Sequence, residues 1–134
     1  MRIYVTYCSR QKNNSLKDTG IEATPDILYT SRCRIQPFME TCKKTGVRWA
    51  IFSDLYGIWL PEEKHAWYEK SPDDVTESEF KALLANFDNR LQEYDEIYFY
   101  RPNERRFHPL YKRLLQETKL RDRLKLISSI IDLK

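Results

Sequence analysis

Two short runs hold the side chains whose types and spacing could do chemistry. Cys8, Ser9 and Lys12 form a C-S-x-x-K run, and Ser53, Tyr56 and Gly57 form an S-x-x-Y-G run. A thiol near a cation is a candidate nucleophile, because the neighbouring charge favours the thiolate. A small thiol packed at a strand end is the plainer account. Lys12 can anchor a phosphate or carboxylate, or serve as an amine of lowered pKa; as a solvated loop lysine it does neither. Ser9 can bond a ligand or cap its own turn. Tyr56 offers a ring to stack on a flat base and a hydroxyl to bond it. Gly57 lets the backbone turn with positive φ or approach a ligand closely. An ordinary turn with a packed tyrosine accounts for the same two residues. Asp54 and Glu69 are the carboxylates available for acid–base work, and neither has a sequence partner that marks it out.

Several chemistries lose their usual support. His65 and His108 lie 43 residues apart without metal-ligand spacing, so no metal is expected. Cys8, Cys33 and Cys42 are an odd number with no C-x-x-C pair, which indicates neither a disulfide scaffold nor a zinc site. A reducing cytoplasm suits them. G-x-G-x-x-G, Walker and G-x-S-x-G patterns are absent, and no cofactor is expected.

The elements that must position these side chains follow from periodicity. Arg2–Tyr7 (RIYVTY), residues 47–53 (VRWAIFS) and Glu96–Tyr100 (EIYFY) are β-branched and aromatic runs, hence strands. Residues 124–128 give a fourth, with a short helix through Ile127, Ile130 and Ile131 as the alternative. The unbroken apolar run 49–52 predicts a central, two-sided strand. A helix is expected over 31–44, with Ser31 as N-cap, Lys43 and Lys44 at the negative end of the dipole and Gly46 just past it. Pro37 fits only if that helix begins near Gln36 or kinks. Thr76 and Glu79 make a T-x-x-E capping box, and Phe80, Leu83, Leu84, Phe87 and Leu91 then form one apolar stripe. Residues 107–120 give another helix, with Leu110, Leu114 and Leu115 inward. Residues 8–30 are polar and read as a long loop.

Alternating strands and helices predict one α/β domain over 1–134: a small, mainly parallel four-stranded sheet, three layers thick with its helices. In such sheets ligands bind outside the carboxyl ends of the strands, where strand order reverses. That rule selects the segments 8–12, 53–57 and 101–103. If the first two strands are neighbours, Cys8, Ser9, Lys12, Ser53 and Tyr56 share one crevice.

The 134 residues carry 23 basic and 20 acidic groups, unevenly spread. Residues 1–50 hold 9 basic and 4 acidic, 51–100 hold 4 and 12, and 101–134 hold 10 and 4. Basic stripes can bind nucleic acid, and solvated helix faces are the simpler reading. Apolar runs are far too short to span a membrane, and the N-terminus enters a strand without a signal-peptide core.

Together with Leu28, Tyr29 and Ser31, an L-Y-x-S run preceded by Pro25, the two opening runs resemble an uncharacterised prokaryotic family over about residues 3–131. That family carries CS-x-x-K, P-x-x-LY-x-S and SA-x-YG-like segments in this order. Tyr68, Glu69 and Pro72 also resemble its later Y-x-x-P region, with one residue more between Tyr and Pro. More distantly the chain is similar to the core domain of archaeosine synthase, which acts on a 7-deazaguanine base of transfer RNA. Tyr7 stands where that family has Pro, its KPYS run is missing, and Asp54 replaces Ala. The resemblance implies a nucleobase or nucleoside ligand at the ends of strands one and two. Lys12 would meet its polar part, Tyr56 would stack, and Cys8, Ser9, Tyr29, Ser31, Ser53 and Gly57 would complete the pocket, with Cys8 and Lys12 as the candidates for catalysis in nucleic-acid modification. The alternatives are a nucleic-acid-binding module using Arg101, Arg105, Arg106, Lys112 and Arg113, and a protein-interaction domain.

Overall fold

The computed structural model describes residues 1–130. The chain runs through β1 (Arg2–Tyr7), β2 (Glu22–Ala23), α1 (Pro25–Leu28), α2 (Ile35–Thr45), β3 (Trp49–Ser53), β4 (Gly57–Trp59), β5 (His65–Ala66), α3 (Glu77–Leu91), β6 (Glu96–Tyr100), α4 (Pro109–Glu117) and β7 (Leu124–Ile127). β4-β3-β1-β6-β7 form a five-stranded sheet in that order, and β2 pairs with β5 in a separate ribbon. The four strands expected from sequence are parallel neighbours. β4 is the fifth strand, added antiparallel to β3. Only three residues separate β3 from β4, and so short a link can return the chain only in the antiparallel sense.

Side chains alternate along each strand and feed two clusters. Ile3 and Val5 of β1, Ala50 and Phe52 of β3, and Ile97 and Phe99 of β6 join Phe80, Leu83 and Phe87 of α3 and Tyr111 and Leu114 of α4. On the other side Tyr4, Trp49, Ile51 and Tyr100 join Leu28 of α1 and Phe38, Met39 and Cys42 of α2. All five residues of β3 are buried, which accounts for their unbroken apolar character.

The capping box at the start of α3 is formed in both directions between Thr76 and Glu79. α2 starts at Ile35 rather than after Ser31, which puts Pro37 in its first turn, and Gly46 ends it at φ 73°. β7 takes the strand alternative at Ile127, while Ile131 lies outside the described residues. Residues 8–30 are not structureless: a 3₁₀ turn at Asn14–Leu16, β2 and α1 all fall there. Among the described residues no helix is long and apolar enough to cross a membrane.

β1 is flanked by β3 on one side and β6 on the other. α2, which leads from β1 to β3, packs on one face of the sheet, and α3, which leads back past β1 to β6, packs on the other. Strand order therefore reverses at β1. The switch point between β1 and β6 is where an open parallel sheet is expected to form its ligand crevice.

Candidate functional site

The loop after β1 folds back onto the end of α1. Lys12 and Tyr29 form an isolated antiparallel bridge, the Asn13 N–H donates to the Leu28 carbonyl at 2.7 Å, and the Thr30 N–H donates to the Gln11 carbonyl at 3.4 Å. The C-S-x-x-K and L-Y-x-S segments are thereby held side by side. The S-x-x-Y-G segment joins them through hydroxyls. Ser53 Oγ donates to Tyr68 Oη at 3.0 Å, and the Tyr68 and Tyr29 hydroxyls lie 2.5 Å apart. Ser53 Oγ also accepts from the N–H groups of Leu55 (3.1 Å) and Tyr56 (3.0 Å), which fixes the turn after β3. Tyr29 and Ser53 are fully buried, so they build the floor of the site rather than its open surface. Burial pushes the Tyr29 and Tyr68 hydroxyls well above the ordinary tyrosine value.

Lys12 lies above this floor, half-buried, with Nζ 4.5 Å from the centre of the Tyr68 ring. Its one hydrogen bond is a long one, 3.4 Å to the Arg10 carbonyl. Partial burial lowers its pKa, against the attraction of Cys8 and Asp54. Ser9 is half-buried and donates to the Gln11 carbonyl at 3.2 Å. Ser31 is half-buried at the start of the turn into α2, where its carbonyl accepts from Gln36 N–H at 3.0 Å.

A second polar group sits where β1 and β3 end. Tyr111 of α4 donates its hydroxyl to Asp54 Oδ1 at 2.7 Å, and the same hydroxyl lies 3.7 Å from Cys8 Sγ. Cys8 is 7% and Asp54 4% exposed. Burial first, and the Asp54 charge second, push the Cys8 thiol up to about 12, so it is protonated at neutral pH. Burial likewise raises the Asp54 carboxyl above its ordinary value, although Tyr111 and Cys8 oppose the rise by bonding to it. A protonated thiol, a carboxyl that binds its proton more tightly than an exposed one and a half-buried ammonium can bind and move protons; nucleophilic attack by Cys8 has no such support. Asp54 also lines an open depression of about 270 Å³ with Leu55, Tyr56, Glu79, Ala82, Leu83 and Asn86.

Tyr56 and Gly57 have structural duties. Tyr56 stacks on His65 with centroids 4.0 Å apart and donates its hydroxyl to the Ala66 carbonyl at 3.0 Å, tying β5 to the sheet. One face of its ring is thus already covered. Gly57 adopts φ 75°, and a Cβ there would lie 2.3 Å from Asn86 Oδ1. That oxygen accepts from the Ile58 N–H at 2.8 Å, so the close approach serves α3. Glu69 is exposed. His108 caps α4, accepting from Leu110 N–H at 3.0 Å, with Nε2 2.6 Å from Asp73.

Of the basic residues after β6, Arg105, Arg106 and Lys112 are exposed. Arg113 is engaged by Glu77 at 2.7 and 2.6 Å and by Glu117 at 2.5 Å. Arg101 is half-buried, with its guanidinium beside the Phe107 ring. Among the described residues no group of His, Cys, Asp and Glu side chains is arranged to hold a metal ion.

Sequence reasoning did not single out Tyr111 or Arg34. Tyr111 lies four residues after Phe107 and three before Leu114, on the inward stripe of a helix. A tyrosine on such a stripe must bury its hydroxyl against a partner, and that signal points to a polar group within reach. Comparison with protein-family models, with curated proteins and with solved structures finds no match for this chain.

Proposed function

We infer that the chain binds a nucleobase- or nucleoside-type ligand at the carboxyl ends of β1 and β3, in the service of nucleic-acid modification of the 7-deazaguanine kind. The observation that carries this reading is Lys12. A half-buried ammonium with one long hydrogen bond, resting on the Tyr68 ring above a fixed hydroxyl floor, has donors to spare for a ligand's carbonyl or anionic group. The resemblance of the C-S-x-x-K, L-Y-x-S and S-x-x-Y-G runs supports it, since the residues of these runs are bonded to one another. Tyr29, Ser31 and Ser53 shape the pocket, Ser9 and Lys12 meet the ligand, and Tyr56, packed against His65, Trp59 and Tyr68, borders it. Asp54, Cys8 and Tyr111 supply a proton store at the inner end. The reading includes a three-layer domain and a cytoplasmic setting, the latter supported by three free thiols.

A thermal-shift screen of bases, nucleosides, 7-deazaguanines, nucleotides and short RNA tests it. A ligand at about 100 times its dissociation constant stabilises the fold by about 2.7 kcal/mol. A shift confined to base-containing ligands supports the reading; a shift for none of them rejects it. The second reading, a nucleic-acid-binding module, is favoured by exposed Arg105 and Arg106 beside β6. It requires RNA or DNA binding that weakens steeply with salt.

A further inference from the structure

The crevice between β1 and β6 holds a feature separate from the Lys12 pocket. Arg34, the residue before α2, reaches over the end of β1. Its Nη1 donates to Thr6 Oγ1 at 2.8 Å and to the Tyr7 carbonyl at 2.7 Å, and its Nη2 donates to the Cys8 carbonyl at 3.0 Å. Its Cζ stacks 3.7 Å from the centre of the Tyr7 ring. Every one of these acceptors is uncharged, and among the described residues no carboxylate lies within ion-pair distance of Arg34. Three bonds leave part of the five-donor fork free.

A second guanidinium is linked to the first through an aromatic pair. Arg101 is the first residue after β6, and its Cζ lies 5.6 Å from the centre of the Phe107 ring. Phe107 in turn packs edge-on against Tyr7 at 5.3 Å, so each arginine rests on one ring of a single aromatic pair. Arg101 Nε is buried and, among the described residues, has no hydrogen-bond partner. Among the described residues its one ion-pair partner is Glu104, exposed and 3.8 Å away. Buried N–H donors are nearly always satisfied, so an orphaned one marks a place where an acceptor is missing.

We propose that Arg34 and Arg101 form an oxyanion site for a phosphate group at the β1/β6 crevice. The planar forks of two arginines match the geometry of phosphate oxygens, and the Tyr7–Phe107 pair holds both forks in place at little entropic cost. The position is where open parallel sheets bind ligands, at the reversal of strand order. Phosphate supplies the acceptor that Arg101 Nε lacks and the negative charge that Arg34 lacks. The inference goes beyond the base pocket and does not need it: either site can be filled alone. Two sources share the chemistry, the monoester of a mononucleotide and the diester of a polynucleotide.

The test is titration of the full chain with inorganic phosphate, followed by ³¹P line broadening and by thermal shift against chloride of equal ionic strength. Wild type should bind saturably. Arg101→Gln, which leaves the backbone bond from Arg101 N–H to the Ile127 carbonyl in place, should weaken binding at least tenfold. Arg34→Lys, which keeps the charge and loses the fork, should do the same wherever it folds. Lys64→Gln, at an exposed lysine outside both sites, should leave phosphate binding unchanged, which separates loss of this site from loss of one positive charge. Guanosine monophosphate and a short oligonucleotide then identify the source, according to which of the two loses affinity in Arg101→Gln. Wild type and Arg101→Gln giving superimposable phosphate titrations, or saturable binding to neither, would overturn the proposal.

Discussion

The Tyr111 hydroxyl donates to Asp54 at 2.7 Å, bridging 57 residues of sequence to close the carboxyl end of the sheet over a buried carboxyl group. The bond satisfies one oxygen of Asp54 without neutralising it. Burial therefore still dominates, and the folded chain holds this proton more tightly than the unfolded chain does.

The sign of the pH dependence follows. A carboxyl raised by folding destabilises the fold in its ionised form. Its penalty is absent below the unfolded value of about 4 and grows as pH rises through that value toward the folded one. Asp54→Asn keeps an acceptor for Tyr111 and carries no charge. Melting temperatures of the two proteins should converge near pH 3 and separate toward pH 7, with the variant gaining on wild type. A difference that stays constant across the range would contradict the account of Asp54.

Gly57 tests whether its turn is built for α3. Alanine there meets both the strain of φ 75° and the Asn86 side chain, which must leave the Ile58 N–H. Gly57→Ala should cost about 2–4 kcal/mol in denaturant unfolding. In an Asn86→Ala background the steric part is gone, and the same change should cost only about 1–2 kcal/mol. Equal costs in both backgrounds would show that Asn86 does not enforce the glycine.

The start of α3 gives a smaller effect. Thr76 accepts from Glu79 N–H at 3.2 Å, and Thr76→Ala should lower stability by about 1 kcal/mol, roughly 4 °C in melting temperature. Glu79 is held down to about 2, first by the Thr76 N–H and then by Lys70. Its contribution is present above its unfolded value of about 4 and is lost as pH falls through about 2. Glu79→Gln should accordingly be less stable than wild type at neutral pH and match it in strong acid.

Much of the sheet was legible because its parallel strands are long apolar runs, and α3 because its cap and stripe agree. β4 was not, since Gly57–Trp59 is three residues long and follows a turn that reads equally well as a binding loop. β2 and β5 are two residues each, too short for any periodicity. In the site, Cys8 and Lys12 were visible because polar groups at a strand end stand out. Tyr111 and Arg34 were hidden by their settings, one on an apolar helix stripe and the other among polar turn residues. Tertiary contacts alone bring them to the end of β1. Arg34 approaches Cys8 from a segment 26 residues on, and no local pattern records that meeting.

In the proposed pocket Lys12 holds the polar edge of a base. The most direct measurement is calorimetric titration of wild type and Lys12→Ala with guanine, 7-deazaguanine and guanosine. Wild type should bind at least one of the three saturably, and the variant should lose tenfold or more in affinity, about 1.4 kcal/mol. Binding of equal strength to both proteins, or heat from neither with any of the three, would contradict it.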